Sequence, residues 1–289
     1  MQSHTKKIAA VHDLCGYGHV SLTAVIPILS AMGVQVCPLP TAILSAHTQY
    51  AGFSFLDLSK EMPRFIDHWK QLDMRFDAIY SGYLGSPSQA DIVAALIDDF
   101  AGDGQLVVVD PVLGDNGKLY ASLHYDMVAE MRKLIQKAVV VTPNLTELLL
   151  LLDKPYKNEV TAAEMKAYMR ALSETGPDTV IVTSVPETVP ERTTSVMAYS
   201  RSSNRFWKVS CAYLPAHYPG TGDAFTSVIT GSLMQGDSLP IALDRAVQFI
   251  LMGIRATFGY DYDNLAGILL ERVLPALQAP VQIGSYEYF

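Results

Sequence analysis

Short apolar, β-branched runs alternate with longer stretches of helical spacing along this chain, and that alternation restricts its fold more than any single motif. Five such runs, Lys7–Val11, Asp77–Ser81, Leu106–Val109, Ala138–Val141 and Thr179–Val182, are nearly continuous in apolar residues, as strands covered on both faces must be. Between them, helical patterns run from about Pro87 to Phe100, Tyr125 to Gln136, Glu147 to Leu152 and Ala162 to Leu172. This is the signature of β-α-β units, so we expect a three-layer α/β/α fold around a mostly parallel central sheet. Val196–Tyr199 and Phe206–Cys211 flank the polar turn SRSSN and should pair antiparallel at one edge. From Asp223 to about Leu277 the pattern is mainly helical, whereas Val34–Ser54 has short β-like stretches broken by prolines and reads as a small flap beside the sheet. No repeat or low-complexity linker divides the chain, which predicts one domain over residues 1–289.

Of the 289 residues 49% are hydrophobic and 17% charged, enough for a large core and unlike a disordered chain. No apolar run approaches the roughly 20 residues that span a bilayer, and no apolar stretch follows the polar start MQSHTKK, so a cytoplasmic location is expected. Cys15, Cys37 and Cys211 are widely spaced, odd in number and without a C-x-x-C pair, which argues against disulfides and zinc. A net charge of −8 with no Lys/Arg cluster argues against nucleic acid or an anionic membrane as a partner. Any phosphate must therefore be bound locally, by backbone amides and a metal ion.

One stretch offers such amides. Gly220-Thr221-Gly222-Asp223 opens a helical pattern in which Ala224, Phe225, Val228, Ile229 and Leu233 recur at helical spacing. The unpaired N–H groups of a first helical turn favour an anion, and glycines let it approach closely. Asp223 is either a carboxylate that interacts with the helix dipole or a base that takes a proton from a hydroxyl attacking the bound phosphoryl group. Ligands of open parallel sheets collect beyond the carboxyl ends of the strands. Here those ends read HDLCGYGH, SGYLGS, DPVLGDNGK, TPNLTE and TS. Asp110, Asp115, Asn144 and Glu147 carry oxygens suited to Mg²⁺ beside phosphates. Equally, Asp110 suits a turn before Pro111, and Glu147 suits the first turn of a helix. Gly16-Tyr17-Gly18 resembles the start of a dinucleotide fingerprint, but Ser21 stands where the third glycine belongs, and no P-loop motif occurs. His19, His47 and His217 fall in candidate site loops, where a histidine serves local hydrogen bonding or the ligand.

Taken in order, Tyr17-Gly18-His19, S-A-H-T-Q-Y at 45–50, S-G-Y-L-G at 81–85, D-P-V-L-G-D at 110–115, T-P-N-L-T-E at 142–147, Thr183-Ser184 and G-T-G-D at 220–223 resemble the pyridoxal (vitamin B6) kinases of the ribokinase-like superfamily. The resemblance runs from about Ile8 to Phe258. G-T-G-D marks the superfamily, and S-G-Y-L-G with H-T-Q-Y the B6 kinases. It implies ATP-dependent phosphorylation of a vitamer's hydroxymethyl group, with Asp223 as base and the amides of Gly220, Thr221 and Gly222 as the anion hole. By the same resemblance, Asp110 and Glu147 would organise Mg²⁺, with Asn144 and Asp115 at the ATP phosphates. Thr183 and Ser184 would lie along the nucleotide, with Tyr120 in the loop covering the phosphates. His19, Thr48 and Tyr83 would serve the pyridine side. A homodimer and a monovalent cation such as K⁺ are also implied.

Asp13 departs from the family, many of whose members carry serine there, with a Gly-Asn pair where this chain reads Val20-Ser21. A carboxylate beside the ring favours the cationic aminomethyl vitamer, pyridoxamine. Two alternatives share the fold. One is a hydroxymethylpyrimidine kinase of thiamine synthesis, which has the same base but a glycine-rich S-G-G-G-A-type stretch absent here. The other is a non-catalytic vitamer or nucleotide carrier.

Overall fold

A computed structural model of the chain describes residues 5–102, 104–186, 193–212, 214, 216–279 and 286–289. The polar start at residues 1–4 lies outside them. The chain passes through β1 (Lys7–Cys15), α1 (Leu22–Ala31), β2 (Gln35–Leu44), β3 (Phe55–Asp57), α2 (Met62–Gln71), β4 (Ala78–Ser81), α3 (Pro87–Phe100) and β5 (Leu106–Val109). A two-stranded excursion follows, β6 (Gly114–Asp115) and β7 (Lys118–Leu119), then α4 (Asp126–Leu134), β8 (Val140–Val141), α5 (Leu145–Leu151) and α6 (Ala162–Glu174). The remainder comprises β9 (Thr179–Pro186), β10 (Thr193–Ser200), β11 (Arg205–Ala212), α7 (Thr221–Gln235), α8 (Leu239–Thr257), α9 (Leu270–Val273) and β12 (Tyr286–Tyr288).

Ten strands form one sheet in the order β12-β11-β10-β9-β8-β5-β4-β1-β2-β3. The six from β9 to β2 are parallel to their neighbours, and antiparallel strands close both edges. Along β1 the side chains alternate. Ile8 and Ala10 join the core that includes residues of α1, α7 and α8, and Ala9 and Val11 join the core beneath α2 to α6. Each fully buried leucine or isoleucine in these two layers contributes about 1.5–3 kcal/mol relative to exposure.

The expected strands and helices occur, most with shifted ends. Residues 34–54 differ from expectation, because β2 is a full strand of the main sheet beside β1 rather than part of a separate flap. Only its last residues, Ala42–Leu44, pair with β3, so the flap begins there. Pro38 and Pro40 lack an N–H to give, and they precede Ala42–Leu44, where β2 pairs with β3 on its outer side, so among the described residues their loss costs no bond of that ladder.

Following the chain outward, β1 leads to β2 on one side, and β4 leads to β5 on the other. The strand order therefore reverses between β1 and β4, which is where an open α/β sheet leaves a crevice for a ligand.

Candidate active site

The crevice is a cavity of about 270 Å³ at the carboxyl ends of these strands. Asp13, Thr48, Tyr83, Asp115, Tyr120, Asn144, Thr183, Ser184 and Gly220–Gly222 all line it, so most residues singled out in the sequence come together. His47 and His217, ambiguous in the sequence, line it too.

Gly220 caps α7 with φ +81°, and a Cβ there would stand 1.9 Å from the carbonyl oxygen of His19. Only glycine fits this packed, left-handed position. Gly222 is the opposite case: a Cβ there would meet nothing within 4 Å. The first hydrogen bond within α7 runs from Ala224 N–H to the Gly220 carbonyl at 2.9 Å, so the amides of Thr221, Gly222 and Asp223 precede the helix's own ladder. Open space in front of free first-turn amides is the geometry an anion needs.

Asp223 lies in this turn, with 14% of its side chain exposed. Its Oδ2 accepts the Ser21 N–H at 2.8 Å. Burial raises its pKa to about 7, opposed by that hydrogen bond and reinforced by the charge of Asp13. Ser21 holds φ +49°, an uncommon conformation for a residue with a side chain, and so turns its amide to the carboxylate.

Asp223 itself is not among the residues that line the cavity, and neither are two further carboxylates, Asp110 and Glu147. Asp110 follows β5 and is buried; its Oδ2 accepts the Thr226 hydroxyl at 3.2 Å. Glu147 forms a capping box with Asn144, its Oε2 accepting the Asn144 N–H at 2.9 Å. Its Oε1 accepts the Leu113 and Gly114 amides at 2.9 and 3.4 Å. One side chain thus ties the D-P-V-L-G-D loop to the start of α5. Burial raises the pKa of Glu147 to about 7 against these hydrogen bonds, and burial followed by the Glu147 charge raises that of Asp110. Among the described residues neither has a salt-bridge partner, and burial disfavours charge on both; a cation placed beside them would shift both toward the ionised form. No cluster of three His, Cys, Asp or Glu able to hold a metal alone occurs among the described residues. A Mg²⁺ shared between two carboxylates, water and substrate phosphates fits such a donor set.

On the other side, Asp13 is 5% exposed and lines the cavity. Its Oδ1 accepts the Ser21 hydroxyl and its Oδ2 the Cys15 thiol at 3.2 Å. Burial raises its pKa, with both hydrogen bonds opposing. The Tyr83 hydroxyl donates to Ser122 at 3.1 Å, joining the S-G-Y-L-G turn to the segment after β7. His47 is fixed by the Leu265 carbonyl at 2.6 Å, which leaves Thr48 at the cavity wall. His19 is not part of the lining: its Nε2 lies 2.9 Å from Glu271. Asn144 bridges to Thr183 across the strand ends, and its Nδ2 donates to the Gly114 carbonyl at 2.8 Å. Ser184 has φ +55°, a second strained residue in the wall. Sequence reasoning missed Ser21 as a partner of the base and Thr226 as a partner of Asp110. Thr226 had a signal, one helical turn beyond Asp223 on α7, but Ser21 acts through its backbone.

Residues 12–266 match the family described as phosphomethylpyrimidine kinase. A structure from Bacteroides thetaiotaomicron, provisionally assigned as a phosphomethylpyrimidine kinase and solved with pyridoxal, is 66% identical, covering 99% of this chain and 100% of that one with a TM-score of 0.96. Pyridoxal kinase from Lactobacillus plantarum is 32% identical, covering 95% and 97% of the two chains with a TM-score of 0.86. Pyridoxal kinase PdxY of Leifsonia xyli is 31% identical over 255 residues, 84% of this chain and 87% of the relative. The chain therefore belongs to the phosphomethylpyrimidine kinase family and, within it, to the ATP-dependent pyridoxal kinases of the ribokinase-like superfamily.

Proposed function

We propose that the whole chain works as one kinase domain that transfers the γ-phosphoryl group of ATP to the hydroxymethyl group of a vitamin B6 vitamer. The observation that carries this reading is the buried carboxylate of Asp223 within the turn whose free amides open onto the cavity. In it, the amides of Gly220, Thr221 and Gly222 hold the γ-phosphate. Asp223 accepts the proton of the substrate hydroxyl as its oxygen attacks in line, and the proton stays on the carboxyl until the product leaves. Asn144, Asp115, Thr183 and Ser184 line the nucleotide's side of the cavity, with Tyr120 over the phosphates. Asp110 and Glu147 hold Mg²⁺, which when bound neutralises charge on the phosphate oxygens. A monovalent cation such as K⁺, a homodimer and a cytoplasmic location belong to the same reading, on the strength of the resemblance.

Thr48, Tyr83 and Asp13 form the pyridine side, and His19 supports it from outside the lining. Asp13 makes pyridoxamine the preferred vitamer. A buried carboxylate whose pKa is raised gains most from a substrate that brings its own ammonium group. Pyridoxal in the Bacteroides structure and the names of the pyridoxal kinase relatives support a pyridine substrate. The description of the matching family keeps hydroxymethylpyrimidine as the second reading. ADP release measured with Mg·ATP and each of pyridoxal, pyridoxine, pyridoxamine and hydroxymethylpyrimidine separates them. Turnover of B6 vitamers with pyridoxamine foremost supports the proposal, turnover of the pyrimidine alone moves the enzyme to thiamine synthesis, and binding without turnover supports a carrier.

A further inference from the structure

His12 has no role in the reaction as described, yet its surroundings are those of a working residue. It lies on β1 on the same face as Ile8 and Ala10, hence under α7, and is fully buried. Tyr80 of β4 meets its ring edge-on at 4.3 Å. A Cβ on Gly82 would stand 2.2 Å from His12 Nδ1 and 2.5 Å from Cε1, so the glycine of S-G-Y-L-G leaves room for this imidazole. Neither ring nitrogen has a hydrogen-bond partner among the described residues. Buried polar atoms without partners are rare and costly, and in native proteins they concentrate where function retains them.

Nδ1 faces Oδ1 of Asp223 at 3.9 Å, while Oδ2 of the same carboxylate is held by the Ser21 amide. An ionised carboxylate only accepts hydrogen bonds, so the nitrogen facing it must carry the hydrogen for the approach to be favourable. The gap is about 1 Å longer than a formed hydrogen bond, and catalytic hydrogen bonds of this kind commonly tighten when substrate is bound.

We infer that His12 is a positioning residue for the base, with its Nδ1–H donating to Asp223 Oδ1 in the substrate complex so that both carboxylate oxygens are oriented. The inference rests on the proposed role of Asp223. Burial lowers the pKa of His12 to about 3, so the imidazole stays neutral at working pH and keeps its proton throughout the reaction. The charges and hydroxyls that bear on Asp223 come from His12, Asp13 and Cys15 of β1, Tyr80 of β4, Asp110 after β5 and Tyr120 after β7. Among the described residues, His12 is the side chain that offers that carboxylate a neutral nitrogen donor, beside the backbone N–H of Ser21.

Two nearly isosteric substitutions test the assignment, because both remove the ring and only one keeps a donor. His12→Leu should lower kcat about tenfold or more, with KM for ATP within about twofold, whereas His12→Asn, whose amide nitrogen reaches about as far as Nδ1, should recover most of the loss. Thermal melts of both variants measure the packing cost they share. In wild-type protein with ¹⁵N-labelled histidine, the His12 resonances, identified by their absence in His12→Asn, should show Nδ1 protonated and Nε2 bare at neutral pH. Equal kcat in the two variants, or a bare Nδ1, overturns the assignment. An Asp223→Ala variant as active as wild type would instead remove the underlying role of the base.

Discussion

The two sides of the cavity are built differently. On the side proposed for phosphate, the groups are backbone amides at the start of α7, and the carboxylates of Asp223 and Glu147 accept N–H groups, Ser21 to the first and Leu113, Gly114 and Asn144 to the second. On the side proposed for the pyridine, the groups are the side chains of Asp13, Thr48 and Tyr83, carried by a strand end and two loops. Backbone amides are supplied by nearly every residue type, so the proposed phosphate side depends little on which side chains surround it, Gly220 excepted. Substrate choice must reside in the replaceable side chains opposite.

Four outcomes sharpen or break that contrast. The largest effect belongs to Asp223→Asn, which should lower kcat by about 10²–10⁴-fold while ATP binding measured by calorimetry changes little. Near-normal turnover would remove the residue as base. The two glycines of the turn should then separate. Gly220→Ala must push against the His19 carbonyl at a left-handed backbone position and should lose about 2 kcal/mol or more in a denaturant titration. Gly222→Ala has free space and a helical backbone, so stability should hold or rise by about 0.5–1 kcal/mol. Turnover should nevertheless fall about tenfold or more, because its methyl group stands where the phosphate approaches. If Gly222→Ala turns over normally, the anion hole is misassigned.

On the pyridine side a smaller change is expected. Asp13→Ser should leave turnover of pyridoxal within about threefold and lower kcat/KM for pyridoxamine about tenfold, the scale of one charge-assisted contact. Identical vitamer ratios in both proteins would dismiss the carboxylate as a selector.

The smallest effect is on pH dependence. Asp223 titrates near 7 in the folded protein against 3.8 unexposed to that burial, so its ionised form disfavours folding. The cost is absent below pH 3.8, grows between the two values and is complete above 7. Asp223→Asn should therefore raise Tm by about 2–4 °C at pH 8, and the gain should shrink toward pH 5. Activity of the wild type has the opposite sign, falling as pH drops through about 7 and the base takes up a proton. A Tm gain that does not vary with pH would mean the carboxylate is not strained by burial.

Much of this contrast is legible in the sequence, for physical reasons. β1, β4, β5, β8 and β9 are buried on both faces and therefore read as apolar runs. The helix α3, with Pro87 in its first turn and a clear polar face, has the expected bounds. By contrast α1 is apolar except for Thr23 and Ser30 and contains Pro27, because it is packed between the sheet and α7, and no clear amphipathic pattern marks it. Pro38 and Pro40 disguise β2 for the edge reason given above. The phosphate side is announced by glycines and an aspartate whose spacing is local. Ser21 is different, since its contribution is an N–H that any residue type except proline possesses. His12 becomes meaningful only once the alternation of β1 places it under α7.

The most direct test of the central claim is a competition in one vessel. Equal concentrations of pyridoxal, pyridoxine, pyridoxamine and hydroxymethylpyrimidine are incubated with limiting Mg·ATP, and the phosphorylated products are resolved by mass spectrometry and ³¹P NMR. The account predicts B6 vitamers phosphorylated on the hydroxymethyl oxygen, pyridoxamine phosphate leading, and none of them formed by Asp223→Asn at comparable times. Phosphorylated pyrimidine as the sole product, or vitamers phosphorylated equally well without Asp223, would contradict it.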